Sequence, residues 1–144
     1  MKIKVMYHSS TGNTKKIAEA IAAAVNVSAE AITENAQLSE PIDLLFIGDG
    51  IYAGKMSKKT QAFIGTLTGE SVKNAAVFGT YGGQKKVIAT MTALLQEKGI
   101  RVCGESFACK GQAWLGGNRN HPNQADLDNA ARFGTDIIQS VAKE

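Results

Sequence analysis

The run Leu44-Leu45-Phe46-Ile47 is apolar without a break, and it is closed by Gly48-Asp49-Gly50. It is far too short to cross a membrane. In a strand, successive side chains point to opposite faces, so both faces of this one must be covered. A strand apolar on both faces belongs at the centre of a parallel sheet, with helices lying on each side.

The rest of the chain supplies those neighbours. Ile3, Val5 and Tyr7 alternate with Lys2, Lys4 and Met6, which predicts a first strand over Lys2 to Tyr7. Ile17, Ala20, Ile21, Ala24 and Val25 recur at helical spacing and predict a helix from Thr14 to Val25. Val27 to Ala31 reads as a second strand, Leu44 to Gly48 as the third, and Ser57 to Leu67 as a helix. Ala75 to Phe78 reads as the fourth strand, ending at Gly79. A helix over Gln84 to Lys98 would bury Val87, Ile88, Met91, Leu94 and Leu95, and Gly99 suits its positive-φ exit. Arg101 to Ala108 reads as the fifth strand. The last helix follows His121-Pro122, with Asn123 as its cap and Asp126 three residues on. Its buried stripe is Leu127, Ala130, Gly134, Ile137, Ile138 and Val141.

This alternation predicts an α/β fold: a doubly wound, five-stranded parallel sheet of order 2-1-3-4-5. A length of 144 residues predicts a single domain over 1–144. Met1-Lys2-Ile3-Lys4 leads straight into a strand and leaves no room for a signal peptide. Cys103 and Cys109 are too few for a disulfide scaffold; on one face of a strand they read as small buried hydrophobes. These features predict a cytoplasmic protein without membrane segments. The net charge of +3, with scattered lysines, gives no case for nucleic-acid binding.

In a sheet of this order, ligands bind beyond the carboxyl ends of the strands, where the order reverses between strands 1 and 3. Three loops leave from that edge. The first, Ser9-Ser10-Thr11-Gly12-Asn13-Thr14, offers hydroxyl and amide donors and backbone N–H groups at a helix start. It contains no lysine, arginine or acid, and so suits a phosphate that is held rather than cleaved. The second runs through Gly50, Ile51, Tyr52, Ala53 and Gly54, and the third through Gly79, Thr80, Tyr81, Gly82 and Gly83. Each sets one tyrosine among small residues, an arrangement able to clasp a flat aromatic ring while backbone meets its edge. No group here reads as catalytic or as a metal ligand.

A phosphate at one end and a planar ring at the other describe flavin mononucleotide, FMN. The chain resembles the short-chain flavodoxins over nearly its whole length. Ser9-x-Thr11-Gly12-Asn13-Thr14 matches their phosphate loop, and Gly50 to Lys55 and Thr80-Tyr81-Gly82 look like their two ring-flanking loops. Cys109-Lys110-Gly111, His121-Pro122 and Asp126-Leu127 resemble one bacterial branch of flavodoxin-like proteins. The resemblance implies a non-covalent FMN, single-electron transfer between soluble redox proteins, and a monomer. It also implies a peptide flip in the first flanking loop that stabilises the one-electron-reduced ring. Here the flip falls around Tyr52-Ala53-Gly54, with Ala53 where glycine is common.

Charge is the main departure. Flavodoxins are typically acidic, whereas this chain has a pI near 8.9. Lys55, Lys58, Lys59, Lys85 and Lys86 lie in or just after the ring loops. A lysine ~10 Å from the ring is worth roughly 0.4–1.7 kcal/mol across effective dielectrics of about 80 to 20. The expected partner therefore presents an acidic surface.

Two other classes fit parts of the pattern. A small FMN-dependent reductase acting on NAD(P)H or a quinone, or a dedicated redox subunit of one, needs no dinucleotide fingerprint. A phosphoacceptor receiver domain has this strand order and would use Asp49, Thr80 and Lys110. It also needs an acidic pair after strand 1 to bind Mg²⁺, where this chain has His8-Ser9. Trp114 reads as packing for the long segment between Lys110 and Asn123, and Arg119 as solvated.

Overall fold

The computed structural model describes residues 1–51, 56–81, 86–110 and 121–143. The elements are β1 (Ile3–Tyr7), α1 (Asn13–Ala24), β2 (Ala29–Ala31), β3 (Ile42–Ile51) and α2 (Lys58–Gly65), then β4 (Val72–Tyr81), α3 (Val87–Glu97), β5 (Arg101–Val102), β6 (Phe107–Lys110) and α4 (Gln124–Ala142). All strand pairs are parallel. The order is β2-β1-β3-β4-β5, with β6 also paired to β4.

The central strand alternates as its sequence requires. Leu44 and Phe46 enter one core layer with Val5, Tyr7, Ala76 and Phe78, beneath α1 and α4. Leu45 and Ile47 enter the other with Met6, Ala75 and Val77, beneath α2 and α3. All four residues are fully buried. At about 25 cal/mol per Å² of apolar surface, each contributes on the order of 1.5–3 kcal/mol to folding. A Cβ on Gly48 would collide with the Phe78 ring, so the missing side chain makes room for that ring against β3. Gly134 plays the matching part between helices, since a Cβ there would stand 3.2 Å from Ile21 Cγ2.

Two expectations are corrected. The fifth strand, expected from Arg101 to Ala108, is two strands on the same edge of β4. Ala75 pairs with Val102 and Phe78 with Phe107, so residues 103–106 stand opposite only Ala76 and Val77. Gly104-Glu105-Ser106 is exposed and carries no apolar alternation to hold a ladder. The two added residues preserve parity, and Cys103 and Cys109 both face the α1–α4 layer.

The second correction is length. β3 and β4 were expected to stop at Gly48 and Gly79; they continue to Ile51 and Tyr81. Gly50, Ile51, Gly79, Thr80 and Tyr81 are therefore strand residues, not loop residues, because each ladder satisfies the other's backbone. The helices and β2 differ from expectation at their ends only. α4 matches most closely, with Asn123 and Asp126 forming a reciprocal capping box. Phe133, omitted from its expected stripe, is buried against Phe46 with ring centroids 6.0 Å apart.

Candidate functional site

β1 ends opposite Gly48, while β3 and β4 run three pairs further, to Ile51 and Tyr81. This step at the carboxyl edge faces the start of α1, at the point where the strand order reverses. The chain crosses it on Ser9, Ser10 and Thr11. The Gly12 N–H donates to Ser9 Oγ at 2.9 Å, and Gly12 turns at φ 89° to enter the helix, a conformation glycine adopts without strain. Asn13 Nδ2 donates to Thr11 Oγ1 at 2.8 Å.

No side chain caps α1 or α3, in contrast to α2, where Ser57 Oγ accepts the Lys59 N–H, and to α4. The Lys16 N–H donates to the Gly12 carbonyl at 3.2 Å and closes the first helical turn. The N–H groups of the first turn thus face the step with the helix dipole behind them. A phosphate fits this donor set: hydroxyls, amides and a positive helix end, with no carboxylate among Ser9 to Thr14.

The loop is tied to the sheet. Thr14 and Thr80 are both buried, and their hydroxyls are 2.8 Å apart. That bond fixes the first turn of α1 to the end of β4. In register, Gly50 lies beside Thr80 and Ile51 beside Tyr81, which is half-buried. The structure therefore brings Ser9, Ser10, Thr11, Gly12, Asn13 and Thr14 to the same edge as Gly50, Ile51, Gly79, Thr80 and Tyr81. Tyr52, Ala53, Gly54, Gly82 and Gly83 lie outside the described residues, as do Trp114 and Arg119.

From the sequence Asp49 opens the loop after strand 3 and stands where a receiver domain carries its acceptor. It is 1 % exposed. Its Oδ1 accepts the Gly50 N–H at 2.7 Å and lies 3.2 Å from His8 Nδ1. Its Oδ2 accepts the Ser57 N–H at 3.1 Å. One buried carboxylate thus holds both ends of the segment between β3 and α2, and His8 ties it to β1. This accounts for an acid in so apolar a strand and leaves no oxygen exposed to receive a phosphoryl group. The sequence clue was an acid directly after a two-faced apolar run.

Cys103 is half-buried and Cys109 buried on the α1–α4 side of the sheet, with Cys109 beside Thr80 in register. Cys109 is buried in β6, and burial first, then the nearby Asp126 carboxylate, pushes its thiol up to about 12. His121 Nδ1 lies 2.7 Å from Asp126 Oδ2 and completes the α4 cap, as turn structure.

A six-strand parallel sheet of this order, with helices on both faces and an uncapped helix start at its switch point, defines the doubly wound α/β class. The Flavodoxin domain family model matches residues 4–114, and the chain belongs to that family. Its fold implies a flavin cofactor. An uncharacterised protein of Methanocaldococcus jannaschii is 32% identical over 97% of this chain and 100% of its own length. A putative diflavin flavoprotein of Nostoc is 23% identical over 99% of this chain, which spans 26% of that protein. Among solved structures, a flavodoxin from the domain Archaea superimposes with a TM-score of 0.79 at 23% identity, covering 99% of each chain. Flavodoxin 2 from Bacillus cereus gives 0.73 at 18% identity, covering 97% of this chain and 99% of its own. The Flv1 flavodiiron core of Synechocystis gives 0.72 at 19% identity over 98% of this chain and 36% of its own. No helix among the described residues is long and apolar enough to cross a membrane.

Proposed function

We propose that this protein binds FMN without a covalent link and carries single electrons between redox proteins. The observation that supports this most is the start of α1, left without a side-chain cap beside the extended ends of β3 and β4. Ser9, Thr11, Asn13, Thr14 and the first-turn N–H groups would hold the phosphate. Charge-assisted bonds of this kind contribute about 1.5–3 kcal/mol each. Tyr81, and Tyr52 from the neighbouring segment, would flank the ring. When bound, the flavin supplies one-electron and two-electron redox chemistry. The chain's own part is to grip, orient and shield it.

The test is the visible spectrum of purified protein during stepwise reduction. A carrier is yellow and passes through a one-electron stage before bleaching. Colourless protein that takes up no added FMN ends this reading. A second reading, a dedicated redox module for an attached or separate enzyme, is favoured because the same fold occupies 26% and 36% of two larger flavoproteins. Rapid bleaching by NADPH alone, without an added reductase, would instead mark a reductase in its own right.

A further inference from the structure

Helix starts favour acidic side chains, because the dipole places partial positive charge there. α4 obeys this rule, with Asp126 in its first turn. The other three helices do not. None has an acid in its first turn. Lys15 and Lys16 sit in the first turn of α1, Lys58 and Lys59 open α2, and Lys86 caps α3 directly after Lys85. Lys110 ends β6 on the same edge.

Lys15, Lys16, Lys58, Lys59, Lys86 and Lys110 are all exposed. Among the described residues, the ion pairs are Lys2–Glu40, Lys4–Glu30, His8–Asp49 and His121–Asp126, and none of them uses these six. Glu34 lines the same cleft as Lys58 and Lys59, about 390 Å³ in volume, yet pairs with neither. Elsewhere Lys2 and Lys4 hold carboxylates at 2.9 and 3.0 Å, while Lys73, Lys98 and Lys143 are in no ion pair among the described residues but lie away from this edge. Three helix starts carrying unneutralised cations against their own dipoles destabilise the isolated protein. The same arrangement lowers the energy of any complex that brings carboxylates to this edge.

We propose that the carboxyl edge over α1, α2 and α3 is a docking face for an acidic redox protein. Such a partner approaches end-on, with its carboxylates over the lysine pairs and away from the acidic α4 corner. This inference rests on the electron-carrier reading for its purpose, not for its geometry.

The test titrates ¹⁵N-labelled protein with an acidic [2Fe–2S] ferredoxin as probe. Amide shifts are expected at 13–16, 57–60 and 86–88. Affinity is expected to fall about tenfold between about 0.05 and about 0.5 M salt. Lys58→Glu/Lys59→Glu is expected to cost about tenfold or more. Lys73→Glu/Lys98→Glu alters exposed lysines at the opposite edge by the same charge, and is expected to change affinity less than about twofold. Equal losses from the two variants would mean that net charge acts without a face, and would overturn the proposal. So would shifts centred on the opposite edge, salt-independent binding, or tighter binding to a basic c-type cytochrome or a DNA duplex. The flavin is read separately by its colour. A colourless protein with this footprint keeps the face and loses the carrier reading; a yellow one without the footprint does the reverse.

Discussion

Asp49 keeps a carboxylate in a position closed to water because three N–H groups converge on it: those of Gly50 and Ser57, and the His8 ring nitrogen. Asparagine has the same shape but turns an amide donor toward one of those donors. Asp49→Asn is therefore expected to cost about 1–3 kcal/mol, read from urea unfolding. It should also weaken FMN binding, because the segment beside the ring loses an anchor; a retained dissociation constant would separate the anchor from the site. Tyr81→Ala is expected to weaken FMN binding by about 1–3 kcal/mol, the scale of a lost buried aromatic contact. Quenching of flavin fluorescence measures it, and an unchanged constant removes Tyr81 from the site. The turn into α1 was legible because Ser9 to Thr14 is one continuous string. The bonds that position it were not. His8 meets Asp49 across 41 residues and Thr14 meets Thr80 across 66, and a single sequence carries no record of contacts made through space.

At the scale of elements, legibility followed how local the cause was. The α4 cap lies within four consecutive residues and could be read directly. Gly99 likewise sits at φ 76° where α3 ends. The lengths of β3 and β4 depend on each other's ladder, so Asp49-Gly50-Ile51 and Gly79-Thr80-Tyr81 read as loop when each is taken alone. The break between β5 and β6 depends on what faces β4. β6 also carries a titration signature. The Cys109 thiol titrates at about 12 in the folded protein, against 9.0 for an unperturbed thiol, because burial disfavours the thiolate. The unfolded chain therefore loses this proton first. The contribution to stability is intact below about pH 9 and is lost as pH rises toward about 12. Urea unfolding of Cys109→Ala should show a shallower alkaline decline than the parent. In native protein below pH 9, disulfide reagents should modify Cys109 slowly, and unfolding should release it.

For the molecule as a whole, the proposed binding of FMN would be linked to folding. At a free FMN concentration about 100-fold above its dissociation constant, stability should rise by about 2.7 kcal/mol. For a chain of this size that corresponds to a rise in Tm of roughly 5–10 °C, which calorimetry resolves. Riboflavin, which lacks the phosphate, should stabilise much less if the α1 start is the grip; an equal shift would show that the ring alone carries affinity. The layered architecture followed from the sequence because burial on both faces of one strand leaves few alternatives. The distribution of charge did not, because net charge is a sum and says nothing of edges. The Asp49 clasp has one further consequence. It fastens the end of β3, through Gly50, and the start of α2, through Ser57, to one carboxylate. One side chain thus serves as a common fastening for a strand end and a helix start, so a change at Asp49 should loosen both together rather than either alone.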